Sequence, residues 1–323
     1  MKFIDFFAGI GGFRLGLERT RLHQCVASCE IEDGPTSVVR DQFAYVPHWR
    51  DICEVQAKDL PRASLWTAGF PCQDVSAAGP RLSLAAPRSG LVWEVLRLLR
   101  EGLSIGRAPT WVLLENVPGA LVRGRGWGDL PRALSQIGYL GAWRVLDARG
   151  FGVPQHRSRV FLLARLARAR GPHPGFVLLQ SPSLHWDAQK ERSGKPTVVA
   201  RTCTRISGGN SGATQTLVVA VTSTTTREGL RHQPTAETFV YGVGVHVGVT
   251  GRLMTSLKQV CVPTGRRTTH PFVRRLSLLE IERVMGFPDH WTKAGGSDVR
   301  RRRMLGNAVV PAVVQWIGER LPK

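Results

Sequence analysis

The sequence predicts an α/β protein: a largely parallel sheet with helices on both faces, joined to a second, smaller β-rich lobe. Three observations carry this expectation. In the first half, short apolar runs of strand length alternate with stretches of helical period, the pattern of consecutive β–α–β units. The first run, FIDFF, leads directly into the glycine turn AGIGG, a strand-to-helix junction common in such folds. Between Thr197 and Thr269 helical periodicity disappears and Thr, Val and Gly dominate, as in short strands and loops. With 323 residues, 42% of them hydrophobic, the chain can form one large domain or two lobes around a sizeable core.

Taken in order, Phe3–Phe7 is a strand and Phe13–Leu22 a helix. Cys25–Ser28 is a second strand that ends at the acids of EIED. Leu65–Ala68 is a strand running into GFPCQ, and Leu91–Arg100 is an amphipathic helix. Trp111–Leu114 is a buried strand running into ENVPG. Leu130–Ile137 is helical, and Ala142–Leu146 with Val160–Ala164 form a closing strand pair. From Arg165 the stretch RLARARGPHPG reads as a boundary. Helical signals return in Leu276–Met285 and Val309–Arg320.

Charge narrows the function classes. The chain carries 44 Lys+Arg against 24 Asp+Glu, a net charge of +20. Residues 1–100 hold 12 basic and 11 acidic residues, and residues 101–323 hold 32 and 13. Codon bias in a GC-rich genome explains why 37 of the 44 basic residues are Arg, but not their lopsided placement. A polyanionic partner held by the later part of the chain does. No run approaches the ~18 consecutive apolar residues of a membrane span. The opening MKFIDFFAGIGG lacks the zones of a signal peptide, so neither secretion nor membrane insertion is expected. Six scattered cysteines without a CxxC pair make neither a zinc framework nor a disulfide scaffold. His23, Cys25 and Cys29 read as small buried residues on a strand. A reduced, cytoplasmic protein without a metal is expected.

Two junctions carry chemistry. In FIDFFAGIGGF a strand delivers Asp5 and then a turn whose glycines let the backbone approach a ligand closely. A dinucleotide fingerprint would need a small residue where Arg14 stands, which weakens NAD or FAD and makes a nucleotide-linked oxidoreductase remote. The form Phe7-x-Gly9-x-Gly11 suits S-adenosylmethionine, and Glu30, about 20 residues on, can accept hydrogen bonds from ribose hydroxyls. An ordinary βα turn is the plainer alternative. In Gly69-Phe70-Pro71-Cys72-Gln73 a cysteine follows a strand, at the sheet edge where α/β ligands bind. A lone cysteine is usually a buried thiol, but the next strand ends in Glu115-Asn116, which brings a carboxylate to the same edge.

FIDFFAGIGGF, GFPCQDVS, ENVPG, QHRSR, RVMGFPD and GNAVVP occur in that order. Together they resemble the DNA cytosine-5 methyltransferase family of bacterial or phage type, over residues 1–166 and 274–320. The resemblance implies a Rossmann-like S-adenosylmethionine-dependent methyltransferase sheet with a β-rich target-recognition lobe. It implies transfer of a methyl group to C5 of a flipped cytosine in a specific duplex sequence. Cys72 would be the nucleophile that adds to C6, Glu115 would bond N3 and the 4-amino group, and Arg159 would lie near O2. Phe7 would meet adenine, Gly9, Gly11 and Gly12 the methionine moiety, and Glu30 the ribose. Asp51 would read the adenine amino group, Ile31 would stand where an aromatic is common, and Asn307 would complete the pocket. Pro71, Gln73, Asn116, Gln155 and Arg157 are expected on the DNA side, although an arginine such as Arg157 can equally be a phosphate contact or a solvated residue.

The implied catalytic part is residues 1–166 plus 300–323. Residues 167–299, including a return segment 274–299, form the implied recognition lobe. From Arg149 to Val273 there are 17 basic and 4 acidic residues. Arg205, Asn210, Gln215, Arg227 and Arg231 are candidate base readers there, against the commoner role of phosphate contact. The chain departs from the family in PRLSLAAPRSG, with Ser83 and Ala86 where a glycine and an acid are expected, and in Ser277, where Thr or His is commoner. Double-stranded DNA is the expected partner, with the protein a monomer in a bacterial cell or phage-infected host. The alternatives are a tRNA cytosine-5 methyltransferase and a catalytically impaired DNA-binding relative.

Overall fold

The computed structural model describes residues 1–71, 89–121, 127, 129–179 and 276–322, and the backbone of five strands between them, at 198–203, 215–222, 241–246, 260–262 and 272–274. Seven strands form one sheet in the order β3-β2-β1-β4-β5-β7-β6. They are β1 (Lys2–Phe6), β2 (Gln24–Cys29), β3 (His48–Trp49), β4 (Leu65–Gly69), β5 (Trp111–Asn116), β6 (Tyr139–Asp147) and β7 (Ser158–Leu166). All run parallel except β7, which is antiparallel to both β5 and β6. The connecting helices are α1 (Gly12–Arg19), α2 (Asp33–Gln42), α3 (Val92–Ser104), α4 (Asp129–Gln136) and α5 (Pro174–Leu179). The expected largely parallel sheet with a closing strand pair is the observed one, and that pair is antiparallel.

Between positions 180 and 275 the described residues are strands. Strands β8 (Val198–Cys203), β9 (Gln215–Thr222) and β10 (Tyr241–His246) form an antiparallel sheet, and β11 (Val260–Val262) pairs with β12 (Phe272–Arg274). Three helices follow: α6 (Leu278–Val284), α7 (Asp298–Asn307) and α8 (Pro311–Gly318). Helix α6 opens with a capping box, in which Ser277 Oγ accepts from the Glu280 amide and the Ser277 amide donates to Glu280 Oε2 at 2.7 Å. Ser277 therefore does the capping that the commoner Thr would do.

Alternation along the strands builds two cores. Phe3, Trp111, Leu113, Phe161 and Leu163 face one helix layer, and Ile4, Phe6, Val112, Leu114, Val160 and Leu162 face the other. Each such side chain contributes about 1.5–3 kcal/mol by burial. The return segment belongs to the first core: Leu276, Ile281, Met285, Phe287 and Trp291 pack with Phe3, Ile10, Phe13 and Leu17. Strand β7 continues through Arg165, and Arg144 Nη1 of β6 donates to the Leu178 carbonyl of α5 at 2.7 Å. The boundaries drawn at 166 and 299 thus cut through continuous packing. The Gly-Pro run at 171–174 reads as a linker, but it is a turn that feeds a helix back onto the sheet.

A close backbone contact joins α1 to α8 and the segment that leads into it. A Cβ on Gly16 would stand 2.6 Å from the Pro311 carbonyl oxygen, and one on Gly12 would stand 2.7 Å from that of Val309. Only glycine permits backbones this close. Trp291 adds a pin, its Nε1 donating to the Ile10 carbonyl at 2.9 Å.

Asp5 is fully buried in β1, where Thr67 Oγ1 donates to its Oδ1 at 2.7 Å and Oδ2 has no partner among the described residues. Burial raises its pKa to about 7, outweighing the Thr67 hydrogen bond and the Arg14 charge. A carboxyl raised in the folded state contributes stability that is full below its unfolded pKa and lost as pH rises through the folded value. Asp5→Asn should therefore gain in urea midpoint over the parent between pH 5 and pH 7, with no further gain above about 7. A midpoint difference that stays constant from pH 5 to pH 8 would contradict the buried-acid account.

Candidate active site

The turn after β1 has an uncommon backbone. Phe7, Gly9 and Gly11 have φ of 54°, 53° and 79°. For Phe7 this left-handed conformation costs about 1–3 kcal/mol and persists only where the surroundings enforce it. Part of the enforcement is Glu30, at the end of β2: its Oε2 accepts from the Gly9 amide at 2.8 Å and its Oε1 from the Glu32 amide at 2.9 Å. Burial pushes the Glu30 pKa up, and these two amides pull it back.

Beside this turn lies a short 3₁₀ turn, Ile52–Glu54, capped by Asp51, whose Oδ1 accepts from the Cys53 amide at 2.9 Å. Arg97 of α3 anchors it from behind by donating to the carbonyls of Ile52 (3.2 Å) and Val55 (3.0 Å) while pairing with Glu94 and Glu101. The cleft between these turns and the return segment is lined by Phe7, Gly9, Gly12, Phe13, Glu30, Ile31, Asp51 and Ile52 on one side. Arg303, Met304, Asn307 and Val309 line the other, and Phe70, Pro71, Glu115, Asn116 and Arg159 line its end.

At that end a carboxylate and a guanidinium face each other. Glu115, 7% exposed at the tip of β5, places Oε1 3.1 Å from Nε of Arg159 on the antiparallel neighbour β7. Burial raises the Glu115 pKa, opposed by the charges of Arg159 and then Arg157. The site can therefore hold a proton on a carboxyl next to a fixed cation. Asn116 joins the two strand ends, donating from Nδ2 to the Phe70 carbonyl at 3.3 Å and accepting from the Val117 amide. The site closes tightly around Gly69, where a Cβ would stand 3.3 Å from the Phe13 ring and 3.4 Å from Glu115 Oε2.

The sequence expectations divide accordingly. Phe7, Gly9, Gly12, Glu30, Ile31, Asp51, Asn307, Pro71, Asn116, Glu115 and Arg159 line one cleft. Gly11 does not line it; a Cβ there would meet the Phe43 ring at 2.5 Å. Asp5 and Arg14 lie beneath the turn. Arg14 is buried, stacked over Phe43, and bonded to Glu18 and the Ala44 carbonyl. Gln155 and Arg157, expected on the DNA side, are instead buried. Gln155 Nε2 lies 3.1 Å from Met285 Sδ, and Arg157 Nη2 donates to the carbonyls of Gly306 and Ala308 at 2.8 and 2.7 Å. Cys72, Gln73, Ser83, Ala86, Arg205, Asn210, Arg227 and Arg231 lie outside the described residues, and only the backbone of Gln215 is described.

Two rim contacts went unread in the sequence. Arg303 pairs with Glu32 at 2.8 Å across the cleft mouth, and Arg50 binds Asp33 and the Ile31 carbonyl. The acids of EIED and the run Arg300–Arg303 were the available signal. In that run Arg301 pairs with the buried Glu282 and Arg302 donates to the Leu276 carbonyl, so most of its charge is engaged within the fold. Among the described residues no group of His, Cys, Asp and Glu is arranged to hold a metal ion, and no helix is long and apolar enough to cross a membrane.

The chain is 34% identical to the type II methyltransferase M2.BsuMI of Bacillus subtilis (strain 168), over 99% of this chain and 75% of that protein. It is 32% identical to M.NlaIV of Neisseria lactamica, over 57% of this chain and 45% of the relative. Its fold is similar to that of the Dnmt2 methyltransferase of S. pombe, with a TM-score of 0.60 at 20% identity, covering 98% and 96% of the two chains. The sequence model of the C-5 cytosine-specific DNA methylases matches residues 1–323, and the chain belongs to that family.

Proposed function

We propose that the protein transfers the methyl group of S-adenosylmethionine to C5 of a cytosine flipped out of a specific duplex DNA sequence, through a covalent Cys72 adduct. One observation carries this reading. The Glu115–Arg159 pair closes the end of the cleft beside Pro71, the residue directly before Cys72, while the same cleft opens onto the Phe7–Gly12 turn and Glu30. The fit to the cofactor rests on that turn: an aromatic at Phe7, backbone exposed at Gly9, and an acid at Glu30 held by two amides. S-adenosylmethionine supplies an electrophilic methyl group on a sulfonium.

The side chains supply the rest. Cytosine C5 is a weak nucleophile until C6 acquires a substituent. The Cys72 thiolate forms the S–C6 bond, and the ring electrons move toward C5. Glu115, its carboxyl favoured in protonated form by burial, donates to N3 and draws electron density from C6. Arg159 holds Glu115 in place and offers its guanidinium to the base O2. C5 would take the methyl group from the sulfonium, whose sulfur leaves as a neutral thioether; loss of the C5 proton to a base and cleavage of the S–C6 bond would then restore the thiolate and the aromatic ring. Extruding the base costs roughly a few kcal/mol.

The basic middle of the chain, residues 180–275, would hold the DNA through its phosphates, with a minority of residues such as Arg205, Asn210, Gln215, Arg227 and Arg231 reading bases. In this reading residues 1–179 and 276–322 form the catalytic part and the protein acts as a monomer.

Duplex DNA carrying 5-fluorocytosine tests the covalent step, because fluorine at C5 cannot leave as a proton does. With S-adenosylmethionine present the parent should form a denaturation-resistant adduct and Cys72→Ser none; no adduct from the parent would overturn covalent attack on DNA. With labelled cofactor, duplex DNA should become labelled, and label entering tRNA alone would overturn the DNA assignment. Glu115→Gln should lower kcat by about 10²–10⁴ while cofactor affinity changes little. A kcat near that of the parent would remove Glu115 from the chemistry.

A further inference from the structure

We infer that Arg157 is a positioning residue for the cofactor wall and not a DNA contact. Its side chain is buried, 7% exposed, just before β7. A single terminal nitrogen, Nη2, donates to the carbonyls of Gly306 at 2.8 Å and Ala308 at 2.7 Å. These two acceptors flank Asn307, which lines the cleft. They also lie at the C-terminal end of α7, where helix carbonyls lack partners along the helix and where a cation is favoured. Arg157 therefore caps α7 from about 150 residues earlier in the chain.

Spacing makes this more than a structural tie. Arg157 and Arg159 are two residues apart, and residues so spaced on extended backbone project to the same side. One guanidinium holds Glu115 and the other fixes the segment around Asn307, so a single short stretch of chain sets the end of the cleft and one of its walls. Loss of Arg157 releases the wall that Asn307, Ala308 and Val309 form against the Phe7–Gly12 turn. The inference rests on the cleft being the S-adenosylmethionine site.

The test is calorimetric titration of S-adenosylhomocysteine into the parent, Arg157→Met and Arg157→Lys in the absence of DNA, with kcat measured at saturating cofactor. The Met variant should bind at least tenfold more weakly. The Lys variant, which keeps the positive charge and offers ammonium donors at a shorter reach, should recover part of the loss. In both, kcat should fall less than affinity. Binding by a folded Met variant within twofold of the parent, with weakened DNA binding instead, would overturn the inference and restore a DNA contact. Failure of both variants to fold would also overturn it, by placing Arg157 in the core. If the Met variant alone fails to fold, the Lys variant decides on the same criterion. A parent that does not bind S-adenosylhomocysteine would sink the reading of the cleft, and this inference with it.

Discussion

The site depends on how closely the two ends of the chain can approach. Strand β1 and its glycine turn offer half of a ligand cleft, and the other half comes from residues 303–309, at the far end of the sequence. They meet because α1 presents glycine where α8 and its leading segment press in: any side chain at Gly16 or Gly12 would strike the carbonyl oxygens of Pro311 or Val309. Backbone contact at this range leaves little freedom for one wall to shift against the other. Trp291, bonded to the Ile10 carbonyl and packed on Phe43 and Phe287, sets the same spacing from a second direction. The strained Phe7 backbone survives between these constraints.

Charge is distributed in keeping with this construction. Arginines near the cleft are mostly engaged by groups of the fold: Arg14 by Glu18 and Phe43, Arg97 by Glu94, Glu101 and two carbonyls, and Arg301 by Glu282. Buried or half-buried guanidinium groups of this kind join segments distant in sequence, because several planar donors can reach several carbonyls at once. The large positive balance of the middle of the chain is a separate feature, and it is the part that suits a polyanion.

Much of this was legible in the sequence, for identifiable reasons. The strands were visible because apolar runs ended at chemically odd residues, GFPC and ENVP, and strand ends are where α/β folds gather ligands. Glu115 and Arg159 could be named because their residue types recur in a spaced family pattern, and the structure places them 3.1 Å apart. The burial of Arg157 could not be read, because the Gly306 and Ala308 carbonyls to which it donates leave no mark in a sequence. The same holds for Gly12 and Gly16, whose contact partners lie about 300 residues away. Asp5 stands on the strand that leads into the glycine turn, and its burial within the sheet is set by strand alternation and by Thr67 on the neighbouring strand. The boundary near Arg165 misled because Gly and Pro mark both linkers and tight turns, and only the packing of α5 on β6 tells them apart.

The central claim is that the chain's two ends act as one wall pair around a single ligand. Hydrogen–deuterium exchange with and without S-adenosylhomocysteine, in the absence of DNA, addresses it directly. The account predicts added protection in residues 7–13 and in residues 304–310 over the same ligand concentration range. Protection confined to residues 7–13, with 304–310 exchanging as in the free protein, would contradict it.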